Sequence, residues 1–406
     1  MKCMRWFRLF FFSLILALPF HSTAQRVPWK DVPVDSLTDL TDVINKIFKK
    51  NTKEKEQERK KNRVQVSVFP AIGYTLQTGF AVVVSANALF YSRNPKDSNR
   101  LPTSINGSIS YSQNNQIIAP FQAYIYLNNN KTILISDFRF LKYPSYTYGL
   151  GMSSSPEDAT LLDYKYLKLH QYVAFEVHPH IFVGGGYLMD YYWDLRQVNE
   201  IPGHPTDFQL YGDSGRSFSS GVAASFIYDT RDNPINAYKG MYANVLLSPR
   251  FKALGSDASW TSLLVDIRKY VRFPASSPNI LAFWSYNWLT LSGTPPYMML
   301  PSTAWDRNFN TGRGYIQGRF KSNNMIDLEM EYRVQLTRNG LFGAVAFCNF
   351  ENFSNINTWV FPEFAPAGGI GLRIKLNKFS RTNIAIDYGW GRQGSHGFFI
   401  NLGEAW

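Results

Sequence analysis

The chain has almost no cysteine. Of its two, Cys3 lies in a leader segment and Cys348 stands alone in the remainder, which excludes an intramolecular disulfide. Past residue 24 there is no apolar run approaching the roughly 20 residues of a membrane helix, so a helix-spanning protein is excluded too. Clustered basic charge is also missing. Removing Lys2, Arg5 and Arg8 with the leader leaves 39 basic against 30 acidic residues, a net +9 scattered along the chain, and no nucleic-acid partner is expected. No phosphate-binding glycine loop occurs. His178 and His180 flank Pro179 in a short turn without further ligands nearby, which reads as a turn and not a metal site. Gly212-Asp213-Ser214-Gly215 looks like a protease nucleophile tetrapeptide, but Arg216 follows it in a polar loop, and a triad is established by geometry. No metal, cofactor or enzymatic activity is expected.

What is present points to export. Lys2, Arg5 and Arg8 precede the run LFFFSLILALPF and the small residues Ser22-Thr23-Ala24, so residues 1–24 read as a secretory signal peptide and Gln25 as the first mature residue. Hydrophobic residues make up 45% and aromatics 16% of the sequence. An exported, aromatic-rich chain with alternating segments and no membrane helix predicts an all-β fold, a transmembrane antiparallel β-barrel of the bacterial outer membrane surrounded by lipid. A large secreted β-protein is the soluble alternative. Residues 25–63 differ in composition: Leu37, Leu40, Val43, Ile44, Ile47 and Phe48 recur at helical spacing before an almost purely charged run. They read as a short periplasmic helix and linker, placed to plug the lumen, dock on a partner, or shield the helix's apolar stripe against the barrel rim.

Strands are expected from residue 64 onward, with 64–74 as an entry segment and 78–91 as the first full strand. Ile105, Gly107, Ile109 and Tyr111 alternate with Asn106, Ser108, Ser110 and Ser112, and the Asn114-Asn115 turn leads into 116–127, a hairpin signature. Further candidates are 132–140, 145–152, 163–177, 181–195, 217–230, 239–250, 258–272 and 280–292, then 325–336, 341–350, 367–376, 382–390 and 397–405. The total is about 16, an even number as bacterial barrels require. Asp229, Arg231, Asp232, Asn233 and Pro234 form a turn with internal pairing, expected at the periplasmic end.

The stretch 312–333 organises the rest. Asp327, Glu329, Glu331, Arg333 and Gln335 occupy one face of a strand, and Ile326, Leu328, Met330, Tyr332 and Val334 the other. In a membrane barrel the apolar face meets lipid and the charged face the lumen. Arg373, Lys375 and Asp387 share that inward parity on later strands, because placing them in lipid would be costly. The preceding loop, 293–324, is far longer than a hairpin connection and carries Trp305, Phe309, Tyr315 and Phe320, which favour packing. Arg313 lies between two glycines. Folded into the lumen it would need a carboxylate, which Glu331 or Glu329 supplies; a solvated arginine at a loop tip is the alternative.

The motif Tyr228-Asp229-Thr230-Arg231-Asp232-Asn233-Pro234 with Lys239-Gly240, the loop Arg313-Gly314-Tyr315, the strand around Glu331 and Arg333, and the closing segment from Gly371-Leu372-Arg373-Ile374 to Trp406 together resemble the BamA/TamA family. This outer-membrane insertase and translocation-assembly superfamily also holds two-partner secretion transporters, and the resemblance spans 64–406. It implies that the loop folds into the lumen, that Arg313 pairs with Glu331, and that Asn349 takes the second, usually acidic, position. Phe398, Ile400, Leu402 and Trp406, all of one parity, resemble the C-terminal sorting signal of such barrels. The partners implied are client outer-membrane proteins or a separate periplasmic subunit, since the 39 residues of 25–63 are too few for a polypeptide-transport-associated domain. The activity implied is outer-membrane protein assembly, insertion or translocation. A passive channel or structural barrel subunit of a larger complex is the alternative.

Overall fold

The structure, a computed structural model, describes residues 32–47, 64–90, 103–199, 205–212 and 215–406. The leader, the charged run after the helix, and Asp213 and Ser214 of the tetrapeptide lie outside the described residues. Sixteen antiparallel strands follow in chain order: β1 Val64–Thr75, β2 Gly79–Phe90, β3 Thr103–Ser112, β4 Ile117–Leu127, β5 Thr132–Lys142, β6 Thr160–His178, β7 Ile181–Gln197, β8 Gly215–Asp229, β9 Gly240–Arg250, β10 Trp260–Arg272, β11 Ile280–Gly293, β12 Asn324–Gln335, β13 Phe342–Phe353, β14 Ala365–Asn377, β15 Thr382–Trp390 and β16 His396–Leu402. Each pairs with the next, and β16 returns to β1, so the sheet closes on itself. Away from the β1–β16 junction, closure satisfies the backbone donors and acceptors of the wall internally, the condition for crossing a bilayer with strands. No helix among the described residues is long and apolar enough to cross a membrane.

Two strand expectations need correction, and their errors cancel. The entry segment 64–74 is a full strand, paired with β2 from Val64 to Thr75. Conversely, 145–152 is not a spanning strand. Only Ser145–Thr147 pairs, with β6, and the chain then leaves the wall, where Gly151 bridges Lys321 of the long loop. Tyr148, under the Arg319 guanidinium, and Leu150 pack against that loop, while Tyr146 faces outward, 41% exposed.

Side-chain parity matches the reading of the sequence. Along β12, Asp327, Glu329, Glu331 and Arg333 are buried inward while Met330 is 41% exposed outward. Val66, Val82, Phe175, Phe226 and Ile370 are likewise exposed on the outer wall. An apolar surface of that extent on a water-soluble protein would be an association liability; on a barrel it is the lipid face.

The wall is uneven at one place. β1 and β16 share a single register pair, Tyr74 with Ile400, whereas the next shortest ladder, β3 with β4, has six. Because β16 stops at Leu402, the antiparallel register leaves residues 64–71 of β1 with no residue of β16 opposite them.

The N-terminal helix α1, Leu40–Ile47, sits at the mouth that also carries the C-terminus. Asp39 and Asp42 each accept the other's backbone N–H, a reciprocal cap, and both also bind Lys378 at the end of β14, through its backbone N–H (3.0 Å) and its ammonium (2.9 Å). Thr38 bonds to Asn339 in the β12–β13 turn. These contacts hold α1 on the rim, with Ile44 and Ile47 exposed.

The wall predicts a heat-modifiable protein. Unheated samples in detergent should migrate faster than boiled ones and give a β-rich circular dichroism spectrum. Identical migration of the two together with a helical spectrum would overturn the fold.

Candidate functional site: a buried arginine lock in the lumen

Residues 294–323 connect β11 to β12 and fold back into the barrel. The carboxylate of Asp306 shapes their tip by accepting backbone N–H groups from Asn308, Asn310 and Thr311 at 2.9, 2.7 and 2.8 Å. Two limbs are tied together, Thr303 to Phe320 and Gly318 to Thr303, both at 3.0 Å. Between them the chain turns at Gly312 and Gly314, with φ of 70° and 116°. A side chain is barred at either glycine by conformation and by space: a Cβ on Gly314 would come within 2.9 Å of Ala367, and one on Gly312 would run into Glu351.

This turn delivers Arg313, 1% exposed, to a set of inward carboxylates. Its Nη1 donates to Asp387 Oδ2 at 2.8 Å and its Nη2 to Glu331 Oε2 at 3.3 Å, with Glu329 Oε2 3.6 Å away. The guanidinium also lies 4.0 Å from the ring centroid of Phe347. Gly312 N–H donates to Glu329 and the Asn349 amide donates to the Arg313 carbonyl, at 3.0 and 2.8 Å. Tyr315 reaches further, donating to Pro366 O (2.7 Å) and accepting from the Arg392 N–H (2.9 Å). The expected Arg313–Glu331 pair is therefore present. The second charge comes from Asp387 on β15, not from the position of Asn349 on β13, and Asn349 instead clamps the loop backbone. Asp387 was legible as an inward charge, but nothing in the sequence tied it to Arg313.

A second tier surrounds the lock. Arg373 contacts Glu331 (3.2 Å), Asp387, and Glu404 (2.8 Å), and Arg333 contacts Glu331 (3.4 Å) and the Trp406 carbonyl (3.2 Å). Three arginines thus face four carboxylates: Glu329, Glu331, Asp387 and Glu404. Burial alone would push the Glu404 carboxyl up, but the guanidinium groups of Arg373 and Arg333 outweigh it and hold the group down at about 2. Of the other expected lumenal charges, Lys375 lines a cavity of about 170 Å³ at the mouth, and Asp327 is buried beside Glu329 without a cation partner among the described residues.

The closing segment departs from expectation. Phe398 and Leu402 face outward, 50% and 37% exposed, whereas Trp406 is 5% exposed inside the lumen. Its Nε1 donates to Glu329 at 3.1 Å and its ring packs on Trp284 and Tyr270. The chain leaves the sheet at Leu402, so strand parity no longer governs the last residues. Ala405 O accepts from Asn310 at 2.9 Å, joining this tail to the loop. The turn motif also serves the mouth: Arg231 grips Asp229 (2.7 Å) and stacks on Tyr242, while Asp232 binds Arg381 (2.7 Å). Asn233 caps the turn by accepting the Ile235 and Asn236 N–H groups (2.8 and 2.9 Å), and Pro234 O accepts from Arg231.

A closed 16-strand antiparallel barrel with a long loop folded into its lumen and an apolar outer wall is the architecture of an outer-membrane protein. Residues 187–406 match the Omp85 superfamily domain, more than half of the chain, and the protein belongs to that superfamily. Its members are outer-membrane barrels that insert or translocate proteins together with clients or partner subunits. A search of curated protein sequences finds no match. Among solved structures the fold is similar to BamA from Haemophilus ducreyi lacking POTRA domains 1-3, at 14% identity and TM-score 0.51, over 84% of this chain and 69% of that one. It is also similar to CdiB from Acinetobacter baumannii (10% identity, TM-score 0.53) and CdiB from Escherichia coli (8%, 0.53), each over 84% of this chain. The chain spans 60% and 62% of the length of those two structures. Among the described residues, none before Val64 forms a POTRA domain.

Removing one side of a buried pair strands the other charge. Arg313→Ala, Glu331→Ala and Asp387→Ala are each expected to cost about 3–5 kcal/mol of loop or barrel stability. Arg313→Lys should rescue poorly, because a point charge cannot bridge Glu331 and Asp387 as the guanidinium fork does. Asn349→Asp should loosen the loop, since it would oppose a carboxylate to the Arg313 carbonyl. Limited proteolysis of 294–323 and denaturant titration of the heat-modifiable form check this; wild-type protection in all the alanine variants would make Arg313 dispensable.

Proposed function

We propose that this protein inserts polypeptides into the outer membrane or passes them across it by parting the wall between β1 and β16, with the lumenal lock holding the rest of the barrel rigid. The observation that supports the reading is the seam: one register pair, and a stretch of β1 whose edge has no strand opposite. An exposed strand edge is a template for pairing with another chain, and here that edge sits in the wall that meets lipid. The loop and tail fill the lumen with paired charges, which favours lateral exchange over free diffusion through an open pore. The mouth with α1 and the C-terminus would face the periplasm, where α1 is placed to meet a client or a separate periplasmic subunit. Residues 1–24 would be removed on export, leaving 25–63 as the periplasmic segment and 64–406 as the barrel.

A reversible crosslink tests the seam. Tyr74→Cys with Ile400→Cys, in a Cys348→Ser background, places two thiols at the single register pair, within disulfide reach. Oxidised protein in liposomes should lose insertion of a client barrel, and reduction should restore it. Equal activity of the two forms would remove the seam from the mechanism; no movement of polypeptide by either form would leave a passive barrel.

A further inference from the structure

Across the lumen from the lock lies a second set of charges that the lock does not use. A cavity of about 150 Å³ is bounded by strands β4 to β7 and β9 to β11 and by residues of the loop, and it has room for several waters or one small ion. Six basic side chains line it: Arg139, Lys168, Arg250, Arg268, Arg307 and Lys321. Only three carboxylates oppose them, and each is already engaged. Asp137 binds Arg139 and Lys168, both at 2.8 Å. Asp190 binds Arg250 at 3.2 Å and His170 at 2.9 Å, and Asp266 binds Arg268 at 2.7 Å.

The excess is concentrated near the loop. Lys321 forms no ion pair among the described residues; its Nζ lies 4.8 Å from the Tyr297 ring centroid, and its backbone is pinned to Gly151 and Ser302. Arg250 spends one nitrogen on Asp190, while its Nε and Nη1, and the indole Nε1 of neighbouring Trp260, meet no protein acceptor among the described residues. Trp260, Arg250 and Lys321 are 3%, 4% and 5% exposed. Buried donors and charges without partners are costly, and a compact anion with several acceptor oxygens would satisfy all three at once.

We propose that this chamber is a binding site for a small oxyanion of the phosphate type, held by Lys321, Arg250 and the Trp260 indole. The site is independent of the insertion reading and binds whether or not the seam opens. Lys321→Met breaks no ion pair, and Trp260→Phe keeps a ring while removing the donor, so neither should disturb the wall. Calorimetric titration of inorganic phosphate into the detergent-solubilised full chain at low salt should show one saturable site in the wild type. Affinity should fall at least tenfold in each variant, with heat-modifiability retained, and Lys321→Arg should keep most of it. Glycerol 3-phosphate run in parallel separates the sources: equal binding assigns the site to the phosphate end of a headgroup, and binding of phosphate alone to the free ion. No saturable binding to folded wild type, or wild-type affinity in both Lys321→Met and Trp260→Phe, would overturn the proposal.

Discussion

Everything inside this barrel depends on the cost of burying charge. Arg313 enters a space closed on all sides by the wall, where an unpaired guanidinium would be prohibitive. Glu331 and Asp387, from β12 and β15, together with Arg373 on β14 and Glu404 after β16, make that space tolerable only when the strands stand in one register. A slip of one residue on any of them would turn its charge toward lipid. The cluster therefore fixes the loop, the wall register and the C-terminal tail at once, and its specificity outweighs whatever net stability it adds.

Filling the lumen this way leaves the seam as the least determined part of the wall. β12 to β15 are tied to one another through the lock, and Trp406 couples the tail to Glu329 and to the aromatic pair Trp284 and Tyr270. β1 has no such internal anchor among the described residues beyond its ladder with β2. Rigidity on one side of the junction and scarce pairing on the other form a physical arrangement in which the wall would part at a single defined place.

Much of this was legible in the sequence, because period-two alternation carries through a wall whose two faces meet lipid and lumen. The inward parity of Glu329, Glu331, Arg373 and Asp387 follows from it directly. What parity could not supply was partnership across the barrel. Arg313 and Asp387 are 74 residues apart, and only the closure of the sheet brings them together. The same limit explains the misplaced strand: 145–152 alternates like a wall segment, but past Thr147 its backbone partner is Lys321, bridged to Gly151 from the distant loop. Trp406 was misassigned for a related reason, since the strand pattern was extended past Leu402, where the chain had already turned inward.

The unpaired stretch of β1 also carries a polarity. β1 runs away from the mouth that holds α1 and the C-terminal tail, so a strand added antiparallel to its edge must run toward that mouth and finish there, as β16 does. An arriving chain would be read from its final strand, its last residues beside Val64 and its earlier ones trailing toward the far rim. If the wall parts there as proposed, the orientation of one strand would set the direction of entry, before any side chain is recognised.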